Sequence, residues 1–150
     1  MTSLAVLRQG LHVSVSQIKG YLRCPRQYEL RYVQGAEPAF VPVPLAFGSA
    51  FHEALGFYYG SVKAKGIAPS REETAQVFAD AWAAALRGPV PLQNGEDEGT
   101  ADQLDKGVAM LAAFHEHASA TTMPQVESVE TPFSVSLFDP ETGEILEEQL

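Results

Sequence analysis

The residues VESVETPFSVSLFDPETGEILEEQL, numbers 126–150, decide the class of fold. Upstream of about Ala118 the apolar residues recur at helical spacing. Here the period drops to two: Val129, Thr131, Phe133, Val135 and Leu137 point one way, and Glu130, Ser134 and Ser136 the other. That alternation predicts a strand. DPETG, 139–143, reads as a hairpin turn, and EILEEQL, 144–150, as the start of a returning strand. Helices followed by strands predict an α+β class. One domain over residues 1–150 is expected, with helices over about 14–118 and a β-hairpin over about 125–150. A hairpin is marginal until a third strand or a helix covers it, and its free edge at Glu144–Leu150 invites pairing with another chain, hence a homo-oligomer.

Working backwards, each helix has its own start signal. Thr100 with Gln103, Ser70 with Glu73 and Ser14 with Gln17 all fit a capping box, in which hydroxyl and carboxyl or amide side chains bond each other's backbone N–H. Val13 and Ile18 are spaced for a hydrophobic staple around Ser14. The expected buried faces are Leu104, Val108, Leu111 and Phe114 for the last helix, and Val77, Phe78, Ala81, Trp82, Ala85 and Leu86 for the one before. A helix from about Ala46 to Lys65 would bury Phe47, Phe51, Leu55, Tyr58, Tyr59 and Val62, and Gly66 would end it. Pro25 disfavours helical geometry at Cys24 and suits the first position of a new helix, which places Cys24 at a corner. AEPAFVPVP, 36–44, reads as extended chain, and RGPVPLQNGEDEG, 87–99, as a mobile loop.

Composition bounds the function. With 45% hydrophobic and 19% charged residues the chain is a globular one, not a disordered tail. No run approaches the roughly eighteen apolar residues of a membrane span, and the N-terminus lacks a secretory signal, so no membrane and a cytoplasmic location are expected. The single Cys24 excludes an internal disulfide. Net charge is −9, but its distribution is uneven: residues 1–35 carry five bases against Glu29 alone, and the remaining 115 carry five bases against eighteen acids. A basic end can hold phosphate on an acidic chain because salt screens charges beyond about 8–10 Å. Ordinary solvated helix charges give the same pattern.

His52 is the most informative side chain. It lies mid-helix in FGSAFHEALG, with Gly48 one turn before and Gly56 one turn after on the same face. Each interior glycine costs about 1 kcal/mol relative to alanine, which calls for a reason. Either the small flanks open His52 to a ligand or to close-approaching backbone, or the helix packs tightly on a neighbour with His52 bonded in the core. Glu53 lies about 100° round the helix and reads as surface charge. His115 and His117, two apart on a helix, point in different directions and read as solvated helix-end residues, while His12 has no evident partner. Glu127 and Glu130 would face opposite sides of a strand, with Glu130 either solvated or bonded to a helix end. Cys24 reads as a buried small hydrophobe, a reactive thiol or a ligand, and alone it cannot hold zinc or an iron–sulfur cluster.

VSVSQIKGYLRCPRQYELRYV (13–33), LAFGSAFHEAL (45–55), VESVETPFSV (126–135) and the TG of the hairpin, in this order, resemble the N-terminal part of RecB-like and AddB-like nuclease domains of the PD-(D/E)XK superfamily. The likeness spans most of residues 12–150. It implies a metal-dependent DNA exonuclease of repair or recombination, working with a helicase subunit or fused helicase domain. It implies a catalytic, metal-holding role for His52, with magnesium or manganese held mainly by an Asp and a (D/E)-x-K on successive strands. Arg23 and Arg26 would contact DNA phosphates. Some relatives also hold an iron–sulfur cluster through a cysteine in a CPR-Y setting like that of Cys24, together with three further cysteines. The sequence departs from the family at one point: no D…(D/E)-x-K follows Glu130. Residues 1–150 are therefore expected to be the N-terminal part of such a domain, without cofactor and inactive on their own. The competing expectation is a non-catalytic helical module that binds DNA or protein.

Overall fold

The computed structural model describes residues 13–93, 100–122, 125–131, 133 and 135–149. Two compact units share them: Pro38–Glu130 form one, and the segments before Pro38 and after Glu130 form the other.

The larger unit opens with a two-residue strand, β1 (Val41–Pro42), which pairs in parallel with β2 (Leu92–Gln93). The first lies in the segment that read as extended chain and the second in the one that read as a loop, and two residues are too few to show a strand period. Between them lie helices α3 (Val43–Lys65) and α4 (Arg71–Leu86), and α5 (Thr100–Ala120) follows. Ser70 caps α4 in a full capping box with Glu73, and this backbone bonding to Ser70 holds the Glu73 carboxyl below its ordinary range. Gly66 ends α3 in the left-handed region at φ 68°. Thr100 is itself the first helical residue of α5, so the cap position falls on residue 99, outside the described residues.

The packing of α3 differs from the expected aromatic stripe. Its buried face is Val43, Ala46, Ala50, Ala54, Tyr58 and Val62, and Phe47, Phe51 and Leu55 lie only partly buried beside it. Small residues at four-residue spacing let α3 approach α4 closely, and the phenylalanine rings fold over the seam. Phe47 meets Phe78 edge-on at 5.5 Å and Trp82 at 6.3 Å. Phe78, Trp82 and Leu111 are at most 2% exposed and join the three helices. At α4's end Leu86 stays 46% exposed. A Cβ built on Gly107 would lie 2.1 Å from Phe78 Cζ, so α5 can lie on that ring only because residue 107 has no side chain.

The smaller unit contains α1 (Val15–Arg23), α2 (Pro25–Tyr28), a π-helical turn at Glu29–Val33, and an antiparallel pair, β3 (Ser136–Phe138) with β4 (Ile145–Gln149). Ser14 and Gln17 form the expected capping box. Cys24 is the corner: extended at φ −158°, it ends α1 and precedes Pro25 at the start of α2. The turn at Asp139–Gly143 is built by Asp139, whose carboxylate accepts from the backbone N–H of Glu141 and Thr142, with Gly143 left-handed at φ 74°. The strand expected from residue 129 begins only at Ser136. Glu130 lies in a bend at φ 51°, which breaks the alternation that the sequence suggested. The class is α+β, as expected.

Candidate active site

His52 occupies the middle of α3, and its side chain is 69% exposed. That exposure excludes the reading of His52 as a core histidine. Its Nδ1 lies 2.8 Å from Oε1 of Glu130, whose side chain is 55% exposed. The two glycines serve different ends. A Cβ on Gly56 would come 3.5 Å from the same Glu130 oxygen, so Gly56 is the floor on which the carboxylate rests. Gly48 has nothing within 4 Å of its would-be Cβ, which leaves the other flank of His52 open. Glu130 reaches this position through a left-handed backbone conformation that costs a non-glycine residue about 1–2 kcal/mol. Tyr59, two turns beyond His52, and residues 125–130 line an open groove.

Glu130 is the residue that sequence reasoning misplaced. Its neighbours alternate like a strand, and it meets His52 from a distant part of the chain, so no local spacing announces the pair. The glycine at position 56 was the indirect signal: the helix leaves room for something there.

The histidine that packs against neighbouring helices is His115, half-buried and not a solvated helix-end residue as its sequence context suggested. Its Nε2 lies 3.0 Å from Thr74 Oγ1, Thr74 is fully buried, and the ring packs edge-on against Tyr58 at 5.2 Å. Burial lowers the pKa of His115 from the ordinary imidazole value, the Arg71 charge lowers it further, and Glu72 works in the opposite direction. As pH falls through the ordinary imidazole range, the unfolded chain takes up a proton that the folded chain resists, and stability is lost. The melting temperature is thus expected to drop between about pH 7.5 and about pH 5.5, with a shallower slope in His115→Gln. Equal slopes would show that His115 is not the group responsible. His117 is exposed, and His12 lies outside the described residues.

The other expected site residues belong to the smaller unit. Arg23 is exposed in the last turn of α1. Arg26 is ion-paired through Nη1 with Glu29 at 2.7 Å, and the other oxygen of Glu29 accepts from Gln34 at 2.8 Å, so the charge of Arg26 is partly countered within its own segment. Cys24 is a half-buried free thiol.

Among the described residues no group of three or more His, Cys, Asp or Glu side chains is placed to hold a metal ion. At His52 the available donors are one imidazole and one carboxylate, the two already bonded to each other. Hard divalent cations take about six oxygen-rich ligands, and these two do not fit one unaided. Residues 131–150 contain no lysine, so a (D/E)-x-K is absent there as well. None of the described helices is long and apolar enough to cross a membrane.

A family profile described as the PD-(D/E)XK nuclease superfamily matches residues 12–144. No curated protein and no solved structure shows significant similarity to the chain.

Proposed function

Because the chain belongs to the PD-(D/E)XK nuclease superfamily, we propose that it supplies the helix-borne histidine of a nuclease centre of the RecB type, acting on DNA in repair or recombination. The observation that carries this reading is the exposed His52–Glu130 pair, set on a helix face that is open at Gly48 and on which the Glu130 carboxylate lies over Gly56. Exposed ion pairs stabilise a fold by only about 0–1 kcal/mol. Two interior glycines at about 1 kcal/mol each, together with a left-handed glutamate, cost more than the pair returns in stability. That imbalance supports a functional role for the pair.

In a complete centre a magnesium or manganese ion would activate water and offset charge on the phosphate being cleaved. His52 would be one of its ligands, and the carboxylates and lysine of a D…(D/E)-x-K would come from outside residues 131–150. Exonuclease activity, coupling to a helicase and a cytoplasmic location belong to the same reading. Arg23 is a better phosphate contact than Arg26, which Glu29 already engages. Cys24 would enter an iron–sulfur cluster only if three further cysteines joined it. Purified residues 1–150 are expected to leave DNA intact in magnesium or manganese. Robust cutting that His52→Ala abolishes would show that no further carboxylates are needed.

A second reading is a non-catalytic docking module. It is favoured by α1, which buries no residue and leaves Tyr21 at 53% and Leu22 at 77% exposure beside Lys19 and Arg23. Salt-dependent DNA binding by residues 1–150 that Arg23→Ala weakens would support it, and absence of binding at low salt would remove it.

A further inference from the structure

We infer that Glu130 is a positioning residue that locks the neutral imidazole of His52 in a single tautomer, with the proton on Nδ1 and the lone pair of Nε2 directed to solvent. The inference deepens the reading of His52 as a site residue and rests on that reading. A carboxylate oxygen only accepts hydrogen bonds, so at 2.8 Å from Nδ1 it requires that nitrogen to carry a proton. When the ring is neutral, Nε2 is then the unprotonated nitrogen, the form able to bind a cation or accept a proton. A carboxylate on the far nitrogen is also what orients a working imidazole.

Three features show that the contact is built into the chain. Glu130 adopts φ 51°, a conformation uncommon for a residue with a side chain, and from it reaches the helix. Gly56 lies beneath the carboxylate, its would-be Cβ at ordinary contact distance from Oε1. His52 is separated from Gly48 and from Gly56 by one turn each, and the open Gly48 flank leaves the ring accessible.

The tautomer is readable directly. The chain has four histidines, and long-range proton–nitrogen NMR of the uniformly labelled protein at about pH 9, well above the ordinary imidazole range, separates protonated from unprotonated ring nitrogens. His52→Gln assigns the signal. The expected result is an Nδ1–H, Nε2-free signature for His52 in the parent protein. Glu130→Ala should lose it, and Glu130→Gln should retain it because the amide oxygen still accepts. Gly56→Leu should lose it with both partners intact, since the longer side chain occupies the carboxylate's place. An Nε2–H form or a mixture in the parent, or an unchanged signature in Glu130→Ala, would overturn the inference. Thermal unfolding of the variants identifies any that fail to fold, and Glu130→Ala, altered at an exposed residue, carries the decision in that case. The readout involves no cleavage, so a failed lock and a failed nuclease assignment give different results.

Discussion

Gly107→Val is expected to destabilise the protein by about 3 kcal/mol, the upper part of the range for forcing extra carbons into a packed core. The added Cβ alone would stand 2.1 Å from Cζ and 2.2 Å from Cε1 of Phe78. A ring tip on the surface could swing away, but Phe78 is fully buried and Phe47 meets it edge-on at 5.5 Å. Phe51 closes another side at 6.2 Å. The strain therefore has no local outlet, and α5 must move off α4. A β-branched residue gives back less than the full glycine penalty of about 1 kcal/mol in helix propensity, so backbone gain does not offset the clash. Equilibrium denaturant unfolding measures the loss. Phe78→Leu, which removes the ring, should cost less in the Gly107→Val background than alone, giving a favourable coupling between the two sites. Strict additivity of the two changes, or a Gly107→Val protein as stable as the parent, would show that the contact between α4 and α5 is not as described.

The helical part of the fold could be read from the sequence because its signals are local. Ser14 and Ser70 announce α1 and α4 through residues three positions away, Pro25 marks the corner at Cys24, and Gly66 stops α3. Each lies within one turn of the structure it specifies. The face that α3 buries was harder to read. Hydrophobicity favoured Phe47, Phe51 and Leu55, whereas close helix contact favoured Ala46, Ala50 and Ala54, and the contact decided. Segment 125–135 misled for the opposite reason. Its alternation is that of a strand, but the left-handed backbone at Glu130 turns the chain before pairing starts at Ser136. The parallel pairing of Val41–Pro42 with Leu92–Gln93 left no periodic trace.

The candidate site divides in the same way. His52 stood out through its two glycines, a pattern of i, i+4 spacing on one helix. Glu130, its partner, depends on a tertiary approach that no local spacing specifies and at which Gly56 only hints. The exchange of roles between His52 and His115 has the same origin. Both sit in helices with apolar neighbours, but only His115 faces Thr74 and Tyr58 from a neighbouring helix.

His52→Ala is expected to separate function from stability. The side chain is 69% exposed and its one ion pair is of the surface kind, so unfolding free energy should change by less than about 1 kcal/mol. In a centre where the imidazole is a metal ligand, its loss should lower kcat about 100-fold or more, equivalent to about 2.7 kcal/mol of transition-state stabilisation. Glu130→Gln, which keeps an acceptor at Nδ1, should reduce kcat by a smaller factor than Glu130→Ala.

The most direct measurement is magnesium- or manganese-dependent cleavage of linear DNA by a centre that unites residues 1–150 with a D…(D/E)-x-K, made once with His52 intact and once with the His52→Ala substitution. The result expected is cleavage by the parent protein and a loss of about 100-fold in the His52→Ala variant at an unchanged melting temperature. No cleavage by the parent, or a His52→Ala variant that cuts as fast as the parent, would contradict the assignment of His52 to a nuclease centre.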